Sequence, residues 1–223
     1  MNKKPIVLFD IDYTMFDVKH FDNNFHAYLS KLLDVDQKKV QDLSIKTILG
    51  LIKQEHFLDI DKYLKILLSG LGKEKYLKEI EQFLFGKDFF KRGFYPDVEV
   101  TVRTLKEMFR LGVFSQGDKK LQGAKINQSG FEDIYDKKLI YIIKPRKLDF
   151  LPSLKKLHTK DKVFLVEDKL SILHEVKKQM SSVFGIWVKR GWYAENQKEI
   201  PGFKPDAEVE NLKEIVSIVN SKL

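Results

Sequence analysis

The chain has no cysteine, so it holds no disulfide, no thiolate metal site and no cysteine nucleophile. No apolar run approaches the roughly 18 residues that a membrane-spanning helix needs. The basic start and the short apolar run after it end at an acid, too short a core for a secretory signal. Together these features lead us to expect a cytoplasmic protein. No P-loop and no G-x-G-x-x-G occurs, nor any internal repeat or low-complexity linker. The five histidines, His20, His26, His56, His158 and His174, show no H-x-x-x-H or H-x-H spacing and read as surface or packing residues.

What the sequence does contain is a soluble globular composition: 43% hydrophobic and 32% charged over 223 residues, enough for one α/β domain with a sizeable insertion. The formal charge of +8 raises the question of nucleic acid, because lysine and arginine neutralise phosphates. The lysines, however, are scattered as pairs such as Lys38-Lys39, Lys119-Lys120 and Lys177-Lys178 and mixed with acids, as on a solvated helical surface.

Periodicity divides the chain. Residues 5–9 read as a buried parallel strand. From 19 to 92 the apolar spacing is helical, as in Phe25-Tyr28-Leu29-Leu32-Leu33, Ile45-Ile48-Leu49-Ile52 and Tyr63-Leu64-Leu67-Leu68, so this segment is expected to be an all-helical insertion. Phe21, Phe25, Phe57, Tyr63, Phe89, Phe90, Phe94 and Tyr95 would mostly fill its core. Strands and helices then alternate. A helix is expected over 98–110 with Val100, Leu105 and Phe109 inward, Gly112 as its stop, and strands at 113–115, 139–143, 163–166 and 183–189. This rhythm implies a doubly wound, Rossmann-like parallel sheet covered on both faces.

The most informative residues are Asp10 and Asp12, delivered by the strand Pro5-Ile6-Val7-Leu8-Phe9. Side chains at i and i+2 of extended chain share a face, so both carboxylates can enter one small volume. Close carboxylates repel unless one holds a proton or a cation lies between them, which points to a nucleophile, a proton donor and a metal. Ligands in open α/β sheets bind beyond the carboxyl ends of the strands. Four such ends carry Asp10, Ser115, the pair Lys144 and Lys147, and Glu167-Asp168.

This ordered set, with D-I-D-Y-T first, resembles the four motifs of the haloacid dehalogenase (HAD) superfamily, over nearly the whole chain outside the helical insertion. The resemblance implies a core formed by 1–18 and 93–223, with 19–92 as a helical cap. It also implies Asp10 as a nucleophile forming an aspartyl-phosphate, Asp12 as general acid and base, Ser115 on a phosphate oxygen, and a lysine as the phosphate-site cation. That lysine is either Lys144, which ends a strand before proline, or Lys147, which opens a helix and is preferred. Mg²⁺ would rest on Asp10 and Asp168, the backbone carbonyl of Asp12, and Glu167 directly or through water. The sequence departs from the family pattern at Glu167, where Gly or Asp is usual, and at Ile172, where some members have another acid.

Because the dehalogenases lack the second Asp of the first motif, the implied reaction is Mg²⁺-dependent hydrolysis of a small phosphorylated metabolite. Two alternatives stay open: a phosphatase acting on nucleic-acid ends, suggested by the charge, and a non-catalytic binding module, suggested by Glu167.

Overall fold

The computed structural model describes residues 4–86 and 88–223; residues 1–3 of the first expected core segment and residue 87 of the helical insertion lie outside the described residues. Six strands form one sheet in the order β3-β2-β1-β4-β5-β6, every neighbouring pair parallel. They are β1 (Ile6–Phe9), β2 (Arg110–Gln116), β3 (Tyr135–Ile143), β4 (Val163–Glu167), β5 (Phe184–Val188) and β6 (Ala207–Val209). Between β1 and β2 run α1 (Val18–Leu33), α2 (Gln37–Glu55), α3 (Ile60–Leu71) and α4 (Leu77–Leu84), followed by α5 (Val98–Leu105). The later crossovers carry α6 (Lys119–Asn127), α7 (Leu151–Leu157), α8 (Leu170–Gln179) and α9 (Gly191–Asn196), and α10 (Lys213–Asn220) closes the chain.

Alternation along β1 divides the core. Val7 and Phe9 join one buried cluster, which continues through α5 and α10 into the apolar faces of α1, α3 and α4. Ile6 and Leu8 join a second cluster under α7 and α8. All four residues of β1 are completely buried, as expected of a central strand covered on both faces. The chain leaves β1 for β2 and β3 on one side and returns to β4 on the other, so the reversal of strand order falls beside the end of β1.

The helices start where short polar side chains can cap them. Asp17, Asp36 and Asp59 each accept a hydrogen bond from the backbone amide three residues on, at the starts of α1, α2 and α3. The two strands of chain joining the helical segment to the sheet pair with each other: Asp17 N donates to Gly93 O (2.7 Å) and Tyr95 N to Met15 O (3.0 Å). Gly93 has to be glycine there, since a Cβ would lie 2.3 Å from the Phe16 ring.

Several sequence expectations give way. The helix expected from Ile45, Ile48, Leu49 and Ile52 is present as α2, but its apolar stripe is largely outward: Ile45, Leu49 and Ile52 are exposed, while Val40, Ser44, Thr47 and Leu51 are buried. The reason is a polar contact inside the bundle, where Ser44 Oγ bonds both His26 Nε2 and Tyr63 Oη at 2.8 Å. A hydroxyl satisfied in this way can occupy an interior position that pattern reading reserves for an apolar side chain. Val100 is exposed although Leu105 and Phe109 are buried, because α5 turns inward the face of Val98, Thr101, Val102 and Leu105, and Val100 lies off it; the helix also ends at Leu105 instead of running to residue 110. Gly112 is no helix stop but lies inside β2, packed so closely that a Cβ would meet Leu139 O at 2.4 Å. The short elements α9 and β6 have no counterpart in the sequence pattern.

Candidate functional site

Asp10 leaves β1 with its amide donating to Val166 O (2.9 Å), which fixes it at the sheet's carboxyl edge between β2 and β4. The next residues turn tightly: Thr14, Met15 and Phe16 all donate to Ile11 O, and Tyr13 takes a left-handed φ of 60°. Arg190 holds this turn from the far end of β5. Its guanidinium donates to Thr14 O and, at 3.0 and 2.8 Å, to both oxygens of Asp97 on the returning linker.

Three acids gather where the sheet order reverses. One carboxylate oxygen from each of Asp10, Glu167 and Asp168 lies within 4.8 Å of the others, and all three residues are buried. Lys147, also buried, donates from Nζ to Asp10 Oδ1 (2.8 Å) and to Glu167 Oε2. Among the described residues Asp10 Oδ2 has no hydrogen-bond partner, so the oxygen opposite the lysine is free to react. Lys147 is itself placed by Gln116, whose Oε1 accepts its backbone amide (3.1 Å).

Asp168 is the anomaly. Its carbonyl accepts from Trp187 Nε1 (3.0 Å) and Gln197 Nε2 (2.7 Å), yet both carboxylate oxygens are buried with no partner. A buried carboxylate without donors is costly as an anion, and burial, followed by Glu167 and Asp10, pushes it well above the ordinary carboxylate range. Asp10 is pushed up to about 6, by burial first and then by Glu167, against the pull of Lys147. Glu167 goes the other way: burial opposes its charge, but Lys147 outweighs it and keeps the group ionised. Three crowded acids, two of them on one lysine and the third with both carboxylate oxygens orphaned, form a set of hard oxygen ligands suited to a divalent cation.

Asp12 is separate from this cluster. Lys125 Nζ donates to its Oδ1 (2.5 Å) and Gln122 Nε2 to its Oδ2 (2.8 Å). Although burial disfavours its charge, these two donors hold Asp12 below the ordinary carboxylate range. Ser115 is buried near the end of β2, on the strand that neighbours β1. The two lysines part company: Lys147 enters the acid cluster, whereas Lys144 is partly exposed, 3.6 Å from Asp118 and above the Phe57 ring.

Sequence reasoning missed Gln122, Lys125, Asp22 and Lys169, whose charge pulls Asp10 and Asp168 down against burial. Gln122 and Lys125 stand at i and i+3 on α6, so one helix face presents both to Asp12, but in the sequence Lys125 looks like any other scattered lysine. A buried lysine shows itself only through its partner. Asp22, on α1, is half-buried and pushed up to about 7 by burial; Lys125 pulls it down and Asp12 adds to the rise.

Because the folded value of Asp22 exceeds the unfolded one, the folded state binds its proton more tightly. The stability cost of Asp22 is therefore absent below about pH 4, its unfolded value, and grows until pH passes its folded value. Asp22→Asn should match the native protein in melting temperature at acidic pH and exceed it increasingly up to about pH 7, with a constant gap beyond. Melting curves across that range test this; a gap that stays flat or shrinks as pH rises would contradict it.

The helical segment reaches the sheet edge at the turn between α2 and α3. His56 O accepts from Gln116 Nε2 (2.7 Å), His56 Nε2 meets Arg146 Nη2 (3.1 Å), and Lys120 pairs with Asp61 at 2.6 Å.

No protein-family model and no curated protein matches the chain. Solved structures do. A haloacid dehalogenase-like hydrolase of Burkholderia xenovorans superposes with a TM-score of 0.80 at 22% identity, over 99% of this chain and 98% of that one. A HAD hydrolase of Bacillus subtilis bound to magnesium gives 0.65 at 15% identity, over 98% and 100%. An L-2-haloacid dehalogenase of Xanthobacter autotrophicus gives 0.62 at 17% identity, over 98% and 99%.

Proposed function

Given that the chain has the fold of the haloacid dehalogenase-like hydrolases, we propose that it is a Mg²⁺-dependent phosphatase acting on a small phosphate monoester. The observation that carries the reading is the acid pair on one loop. Asp10 has a free oxygen beside buried Lys147 and orphaned Asp168, while Asp12 is held apart by Lys125 and Gln122. A dehalogenase has no use for the second acid.

Asp10 Oδ2 attacks phosphorus, the bond from phosphorus to the ester oxygen breaks, and an aspartyl-phosphate forms. The departing oxygen takes a proton from the Asp12–Lys125 pair, and Asp12 then accepts a proton from the water that hydrolyses the intermediate. Lys147 offsets charge between Asp10 and the phosphoryl group, and Ser115 with the amides after β2 receives phosphoryl oxygens. Asp10, Asp168, the Asp12 carbonyl and Glu167 would hold Mg²⁺, which supplies neutralising charge to the acids and the transferring group. Lys144, bound to Asp118, has no part in this scheme.

Residues 19–92 serve as the cap on the core of 1–18 and 93–223. The reach of His56 to Gln116, the residue that places Lys147, supports a small metabolite over a nucleic-acid end, because a covered strand edge leaves little room for a polymer. Among the described residues no helix is long and apolar enough to cross a membrane, which fits the proposed cytoplasmic setting.

Turnover of p-nitrophenyl phosphate with Mg²⁺ should vanish with a chelator, return with Mg²⁺ and recover poorly with Ca²⁺, whose looser coordination would misplace Asp10. Halide release from 2-chloropropionate should be absent. Halide release without phosphate release would replace the phosphatase reading with dehalogenation, and equal phosphatase rates without any divalent ion would remove the metal from it.

A further inference from the structure

Beside α1 lies a cavity of about 270 Å³ whose lining shares no residue with the catalytic proposal. Its walls are Phe21, Tyr28, Phe83 and Phe89. The Tyr28 and Phe83 rings stack at 3.5 Å and 8°, and Phe89 stands tilted to Phe83 at 4.6 Å and to Phe21 at 5.1 Å. The rings pack on one another in stacked and tilted pairs and together give the cavity an aromatic wall, surroundings suited to an aromatic ring.

The rim is polar and carries no acid. His20 and Asn24, one helical turn apart on α1, bond each other at 2.9 Å. Arg92 lies opposite, on the linker that returns to the sheet, and among the described residues its guanidinium has no hydrogen bond or ion pair. An aromatic enclosure with acids at its mouth would suit a cation. Here the only charged side chain in the lining is a free guanidinium, a planar donor fork matched to a carboxylate. The volume falls below the roughly 300–1,000 Å³ typical of drug-sized ligands, so the space suits one ring with one anionic group.

We propose that this cavity is a binding site for a small aromatic monocarboxylate, its ring among Phe21, Tyr28, Phe83 and Phe89 and its carboxylate on Arg92. The site is independent of the chemistry at Asp10, so the two readings stand or fall separately.

The test is an amide NMR titration of the full chain with benzoate, benzamide and benzylammonium in turn. Benzoate should give saturable shifts centred on Phe21, Tyr28, Phe83 and Phe89, with an affinity about tenfold or more above either of the other probes, the scale of one charge-assisted contact. Arg92→Met should lose that advantage, whereas Asp10→Asn should keep it. Arg92 is exposed and takes no part in the ring contacts among Phe21, Tyr28, Phe83 and Phe89, so its replacement leaves their packing in place. Three results would each overturn the proposal: no saturable shift with benzoate in the millimolar range, equal binding of benzamide, or shifts that centre on Asp10 and Lys147.

Discussion

Asp10→Asn should fold with an unchanged circular dichroism spectrum and lose on the order of a thousandfold or more in kcat, since the reaction has no second route once its nucleophile is gone. The substitution is mild structurally: Asn keeps the shape of Asp, the backbone amide keeps its bond to Val166, and Lys147 keeps Glu167 as its counter-charge. Chemically it is severe. The amide oxygen is a poor nucleophile and a weak cation ligand, and the free Oδ2 is the atom the proposal depends on. Retention of more than a few per cent of turnover in a well-folded variant would remove Asp10 from the centre of the reaction.

The second large effect is expected at Lys147. Its removal takes away the cation shared by Asp10 and Glu167, and kcat/KM for any phosphate ester should fall by about 100-fold or more, as when a preorganised electrostatic donor is lost. Loss of one partner from a buried ion pair also costs about 3–5 kcal/mol of stability, so Lys147→Ala needs a companion. Lys147→Gln retains a hydrogen-bond donor, one bond shorter, without the charge. Both should be slow when rates are referred to the folded fraction, and Lys144→Ala should be nearly normal, because Lys144 answers to Asp118 at the surface. A slow Lys144→Ala beside a normal Lys147→Gln would reverse the two roles.

The two lysines show what sequence can and cannot tell. Both lie just past β3, and residue type does not separate them. Burial does: Lys147 is 2% exposed and reaches across the strand ends to residues far away in the chain. Five of the six strands were legible because each contains an apolar run, though β2 and β3 begin earlier than their runs, at Arg110 and Tyr135; the strand ends located Asp10, Ser115 and Glu167-Asp168 without three-dimensional knowledge. The three-residue β6 lies at an edge, where one neighbour and little burial leave no pattern. Periodicity shows the helix through Ile45, Leu49 and Ile52 but not that this stripe faces outward, while Ser44 is admitted to the interior by partners, His26 and Tyr63, that pattern reading does not pair with it. Lys125 was invisible for the same reason, since its meaning depends on Asp12.

The order of the strands carries a kinetic consequence. The contact between Lys147 and Asp10 joins residues 137 apart, that between Lys125 and Asp12 residues 113 apart, and β1 must pair with β4 as Ile6 with Val163 before Asp168 can stand beside either acid. Closing such long loops precedes the reward of the contact, so pairings of this range form slowly. A refolding chain can therefore regain its helical signal, built from local turns in α1 to α4, well before β1 is enclosed on both sides. Under the proposed reaction, catalytic competence is then a marker of the last stage of folding, and a chain stopped before β4 during synthesis has Asp10 and Lys147 but neither Glu167 nor Asp168.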